Sequence, residues 1–290
     1  VRNVTIEVKP ITSYIGAEIS GADLSKPLSD SDFADIHQAW LDHTILLFRG
    51  QEKMGPAEHI AFSRRFGPSD AHSIPKWTLP GFPEIAVVSN VVENGRNIGA
   101  PKSGRTWHSD GQYLPVPAKG SVLVAREVPP EKGDTLFANM YQVYGELDPA
   151  QRARAEGKYV LHSRVKAWPI SYPERPPLTA EEIAKLPDVV HPLVRTHPET
   201  RRQALYSGGN IGWEIVGEPF EESHQFLKEL RAFATQPRFV YAHKWKAGDV
   251  ILWDNRCAMH CATTFDEENH RRVMHRTHIA GDLPFYERAA

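Results

Sequence analysis

The stretch Thr106-Trp107-His108-Ser109-Asp110-Gly111-Gln112-Tyr113 (TWHSDGQY) sets an imidazole and a carboxylate two residues apart, with aromatic residues on both sides. Its reading decides between a strand-built fold closed around a metal and a segment with unrelated polar side chains. In an extended chain, side chains two apart share a face, with Cα atoms about 6.5 to 7 Å apart. As a strand, the segment would aim His108 and Asp110 at the same interior and let them share one cation. Imidazole with carboxylate suits first-row metals, and two histidines with one carboxylate on one face of an octahedron is the non-haem Fe(II) arrangement. The chain carries 14 histidines, so a lone His-x-Asp has low specificity. Both readings stand until a distant ligand and a surrounding frame are found.

The frame is legible outward from that point. Toward the N-terminus, Phe33, Ile36, Trp40 and Leu41 recur at helical spacing behind a Ser/Asp-rich start, predicting an amphipathic helix over 29–43. Thr44 to Phe48 and Glu84 to Ser89 read as strands on either side of a second helix over 56–66. Beyond the motif, Gly120 to Arg126 and Thr135 to Ala138 read as strands joined by the turn PPEKGD. His191 to Thr196 and Gln203 to Ser207 suggest a hairpin through HPETRR. A third helix over 220–235 places Phe226, Leu227, Leu230 and Phe233 at core spacing. Phe239 to Lys244, Val250 to Asp254 and Arg272 to Ile279 complete the strands. The proline-rich stretch 150–187 reads as a loop or lid with one short helix, the lid itself around 163–187. Many short strands with a few helices outside them predict one domain over 1–290, α+β with a mainly β core, built on a jelly-roll-like barrel.

A chain of 290 residues can bury a core that needs no staples. Its net charge of -2 and 24% charged residues lack the basic balance that phosphate-backbone binding requires, so nucleic acid is not an expected partner. Its two cysteines, Cys257 and Cys261, are too close in sequence to brace a large domain, which points to a reducing compartment. The segment VRNVTIEVKP lacks the pattern of a signal peptide, and no apolar run approaches the ~18 residues of a bilayer span. The expectation is a cytoplasmic protein without a membrane partner.

The missing ligand can come from WDNRCAMHC at 253–261, where His260 ends a predicted strand. In HRRVMHR, at 270–276, Arg272 and Arg276 are four apart, so an extended strand puts both guanidinium groups on one face. Inward arginines beside a metal are costly unless each meets an anion, whereas the same run on the surface is a solvated basic strand. Cys257, His260 and Cys261 could alternatively be read as part of a zinc site. In an extended chain both cysteines would face away from His260, and no second cysteine pair completes four ligands. His197-Pro-Glu199 is another His-x-carboxylate, placed by its proline and arginines at a solvated hairpin tip.

The order His108-x-Asp110, His260, Arg272, with LLFRGQ at 46–51, PPEKGDT ending at Thr135, HPLVRTHPET, WDNR and RRVMHR, resembles the taurine dioxygenase / 2,4-dichlorophenoxyacetate dioxygenase family. The resemblance covers nearly the whole chain and is closer to the taurine dioxygenase branch. It implies a double-stranded β-helix fold and an enzyme that uses Fe(II), 2-oxoglutarate and O2. His108, Asp110 and His260 would then bind iron, and Thr135 and Arg272 would hold the far carboxylate of 2-oxoglutarate. Arg276, assisted by His72, would hold the substrate's anionic group, Trp168 would line the pocket, and Trp253 would pack beside the iron. The implied reaction hydroxylates a small organic anion (sulfonate, sulfate ester, carboxylate or phosphonate) and releases succinate and CO2. Hydroxylation next to a heteroatom would cleave a C–S, C–O or C–N bond. Alternatives are desaturation or another oxidation of a carboxylate intermediate, metal-assisted hydrolysis, or a relative that binds anions without turnover. The segment between Ser89 and Trp107, VVENGRNIGAPKSGR, is longer and more basic than its counterpart in taurine dioxygenase, so taurine itself is not implied. The resemblance also implies a homo-oligomer, dimer or tetramer.

Overall fold

The computed structural model describes residues 5–69 and 77–288. Eight strands form the larger sheet, in the spatial order Glu7–Pro10, Ala17–Ser20, Ile45–Phe48, Val250–Asp254, Gly120–Glu127, Val273–Ile279, Phe82–Ser89, Thr78–Leu79. All of its pairings are antiparallel except Ala17–Ser20 with Ile45–Phe48. A three-stranded sheet, Val240–His243, Thr135–Asn139, Ala258–Ala262, packs against it.

Alternation within the central strands explains the layers. Leu46, Phe48, Val122, Val124, Val250 and Leu252 face one way, onto Ile36 and Trp40 of the helix Asp30–His43 and Phe62 and Phe66 of the helix Pro56–Phe66. Ile45, Leu47, Leu123, Ile251 and Trp253 face the other way, onto Phe137 of the smaller sheet. With both faces covered, ILLF at 45–48 reads as an unbroken apolar run because every residue in it is buried. Behind the smaller sheet, Ala138 and Met259 pack on Phe226, Leu227 and Leu230 of the helix Phe220–Ala234. The predicted helices at 29–43, 56–66 and 220–235 are present, each within a residue of its expected bounds.

Two expectations are corrected. The stretch 150–187 is not a loop with one helix: it holds the helices Pro149–Ala155, Arg164–Ser171 and Ala180–Ala184 and the strand Tyr159–His162. That strand pairs on both sides, with Val189–Pro192 and Gly212–Ile215. The predicted hairpin is shorter than expected, Val194–Thr196 with Gln203–Leu205, because His191 belongs to the strand that pairs with Tyr159–His162.

Candidate active site

TWHSDGQY is not a strand. His108 makes a single antiparallel bridge to His260, with N–O distances of 3.0 and 2.8 Å, and Asp110 already lies in a turn that Gly111 completes at φ +75. The bridge does what a shared strand face was expected to do. It brings the two imidazoles to 4.2 Å between ring centroids, with Asp110 Oδ1 3.6 Å from His108 Nε2 and Oδ2 3.8 Å from His260 Nε2. One donor atom from each of the three lies within 4.8 Å of the others. His260 sits mid-strand in Ala258–Ala262 rather than at a strand end, and Trp253 packs on its ring at 4.7 Å.

The protonation states suit a cation. Burial alone would raise the Asp110 carboxyl, yet the Arg276 guanidinium beside it holds it well below the usual carboxylate range. Burial, with His108 adjacent, keeps His260 neutral. Ionised carboxylate and neutral imidazole are the metal-binding forms. Supporting bonds fix their aim: His108 Nδ1 contacts the Thr106 carbonyl at 2.7 Å, Ser121 Oγ donates to Asp110 Oδ2 at 2.8 Å, and Asp110 N donates to Asn255 Oδ1 at 3.1 Å. Such partners orient a ligand set.

Beside the three donors is a chamber whose lining includes Thr135, Trp253, His260, Arg272, Met274 and Arg276. Arg272 is buried, and its Nε and one terminal nitrogen have no hydrogen-bond partner among the described residues. Burial, with Arg105 nearby, pulls its guanidinium down to about 10, so it is still charged at neutral pH. Trp245 Nε1 donates to Thr135 Oγ1 at 2.9 Å, which leaves the threonine O–H to donate elsewhere. A buried, unmatched arginine next to a free hydroxyl fits an anionic end of a ligand.

A second pocket opens on two of the donors, His108 and Asp110. His108, Asp110, Arg276 and His278 line it with Tyr113, Arg164, Trp168, Tyr172 and Arg175. Arg164 stacks on Tyr113 at 4.1 Å, Arg175 stacks on Tyr172 at 4.1 Å, and Trp168 lies 4.7 Å from Tyr172. Arg276 pairs with Asp110 Oδ1 at 3.1 Å while its Nε is unmatched. His72 lies outside the described residues.

The family model described as taurine catabolism dioxygenase TauD, TfdA family, matches residues 7–278. This chain belongs to the TauD/TfdA dioxygenase family. With membership come the cofactor set, Fe(II) with 2-oxoglutarate and O2, and the enzyme class, a 2-oxoglutarate-dependent dioxygenase. The chain is 34% identical to an (S)-phenoxypropionate/alpha-ketoglutarate-dioxygenase of Sphingobium herbicidovorans, over 95% of each sequence. A solved taurine dioxygenase from Burkholderia xenovorans superposes with a TM-score of 0.80 at 33% identity, covering 96% of this chain and 90% of its own. AAD-2, solved with Mn(II) and N-oxalylglycine, gives 0.82 at 32% identity, covering 97% and 99%. Phenoxyalkanoate and taurine branches thus match about equally, and the sequence's lean toward taurine dioxygenase has no counterpart in identity.

The other metal candidates resolve differently. Cys261 is on the strand face opposite His260, and Cys257 sits instead with His197 and Asp254. There Arg256 already grips both Asp254 oxygens, at 2.9 and 2.7 Å, and burial holds the Cys257 thiol far above its ordinary value. A guanidinium on the carboxylate and a protonated thiol disfavour zinc. The solvated hairpin tip at His197-Pro-Glu199 is also corrected. His197 is 1% exposed and bonds Asp254 at 3.0 Å, while Glu199 pairs with Arg256 at 2.6 Å. Missed altogether were Ser121, Asn255 and His278. His278 had a signal, two residues past Arg276 on the same strand face, and Asn255 lies within the WDNR block.

Proposed function

We propose that the chain is a jelly-roll dioxygenase that hydroxylates a small organic anion, with His108, Asp110 and His260 as its iron ligands. The observation that carries the reading is that His260 of the three donors also lines the chamber of Thr135 and buried Arg272, whose Nε and one terminal nitrogen have no hydrogen-bond partner among the described residues. In that chamber Arg272 and the Thr135 hydroxyl would grip the far carboxylate of 2-oxoglutarate and orient its keto-acid end at the iron. Arg276 would anchor the substrate's carboxylate, sulfonate, sulfate or phosphonate in the pocket that His108 and Asp110 line. Bound Fe(II), 2-oxoglutarate and O2 together supply the oxidant that places oxygen on a substrate C–H bond as the keto acid becomes succinate and CO2. The chain's part is to hold that bond near the metal and to exclude water. Trp168, Tyr113 and Tyr172 would clamp an apolar or aromatic body, which favours an aryl or alkyl acid over a compact anion such as taurine. The segment 163–187, which carries Trp168 and Tyr172, would act as a lid over one domain spanning 1–290.

The test is succinate formation with Fe(II), 2-oxoglutarate and O2 across a panel of aryloxyalkanoates, alkyl sulfates, sulfonates and phosphonates. At least one should stimulate turnover, and Arg272→Ala should raise the 2-oxoglutarate KM by about tenfold or more while metal affinity holds, as for loss of a charged hydrogen bond. Iron bound with no stimulation by any anion would sink the catalytic reading, and an unchanged KM would sink the role of Arg272.

A further inference from the structure

Alternate residues of Val273–Ile279 share a face, so Met274, Arg276 and His278 point into the interior together, continuing the line of Arg272. Arg272 and Arg276 have roles above, and His278 does not. Its Nε2 is buried and without a hydrogen-bond partner among the described residues, as is Arg276 Nε. Both side chains line the pocket that contains His108 and Asp110. Nε2 lies 3.4 Å from Asp110 Oδ2 but lacks hydrogen-bond geometry, so the carboxylate leaves this nitrogen unmatched. Two buried nitrogens, two residues apart on one strand face and open to one pocket, call for an acceptor with two oxygens.

We propose that His278 is a second donor to the substrate's anionic group. Its Nε2–H and the Arg276 Nε–H would each bind one oxygen of a carboxylate or sulfo group. The inference rests on Arg276 being the substrate's anchor. It adds a specificity-determining residue, since a single strand would then fix the orientation of the anion as well as its charge. The competing role for His278 is to position Asp110, and the two separate experimentally.

The probes are phenoxyacetate and hexyl sulfate, titrated calorimetrically into the full chain loaded with Co(II) and 2-oxoglutarate. His278→Ala should weaken probe binding roughly ten- to hundredfold, the range for a hydrogen bond to a charged group, with Co(II) and 2-oxoglutarate affinities unchanged. His278→Gln, which keeps an N–H donor, should recover part of the loss. In the Arg276→Ala background the His278→Ala effect should shrink, because two residues on one anion are coupled. A loss of Co(II) affinity matching the loss of probe affinity would assign His278 to Asp110 and overturn the proposal. Weakening by Arg276→Ala but not by His278→Ala would overturn it alone, leaving the anchor intact. Binding of neither probe by the unaltered protein, or no effect of Arg276→Ala, would remove the anchor and this inference with it.

Discussion

At the scale of single residues, the metal corner depends on a position with no functional group. Gly209, at φ +54, starts a short turn whose backbone lies against the His108 segment, and Asn210 N donates to the Trp107 carbonyl at 3.3 Å. A Cβ at Gly209 would overlap that carbonyl and come within 3.2 Å of His108 Cα. Gly209→Ala should therefore displace His108 from its bridge to His260 and weaken Co(II) binding by on the order of tenfold, in the range for lost support of a ligand. Titration of the metal-free protein reads it, and an unaltered affinity would show that the segment adjusts. His108, Asp110 and His260 were legible as chemistry, but their support was not. Ser121 and Asn255 reach Asp110 across large sequence separations, and a serine or asparagine in a strand or turn carries no mark of such a partner. His197 and Glu199 were misread for the same reason. Proline and arginine neighbours mark a surface turn locally, while Asp254 and Arg256, which bury it, are 57 residues away.

Elements built on a strong period were the readable ones. The helices at 30–43 and 220–234 show their buried stripe in sequence, and the runs ILLF and VILWD announce strands covered on both sides. The segment 150–187 has no such signature. Its strand Tyr159–His162 is only four residues long, and its helix Arg164–Ser171 contains Pro169 and buries only Ala167 fully. That helix nonetheless carries the pocket wall. Ser163 caps it by accepting from Lys166 N, and Trp168 Nε1 donates to the Pro176 carbonyl at 3.0 Å, tying the helix to the chain that follows. Trp168→Ala should raise the KM for an aryl or alkyl acid severalfold and leave the 2-oxoglutarate KM unchanged, because the indole lines one pocket and not the other. Parallel shifts in both constants would mean that the helix shapes the whole site.

For the whole molecule, buried histidines set the acid limit. Burial pushes His59 from its ordinary 6.5 to about 3, and the same cause brings His191 and His275 to about 4. All three stay neutral in the folded chain while the unfolded chain takes up their protons as pH falls below 6.5. The unfolded state binds more protons, so this part of the stability is complete above pH 6.5 and is lost progressively toward pH 4. His59, fully buried between Val122 and Thr277, accounts by itself for about 1.4 kcal/mol per pH unit within that window. Urea midpoints should fall between pH 7 and pH 5, and His59→Gln should flatten the slope; an equal slope in the variant would remove His59 as its source. The site has one more consequence at this scale, for the order in which the molecule becomes competent. Ser109 and Ala258, bonded beside the metal corner, are 149 residues apart, so no early-forming segment can gather the donors. Acquisition of metal during refolding should accordingly track closure of the two sheets, which makes the cation a reporter of the last step of assembly and not a nucleus for the first.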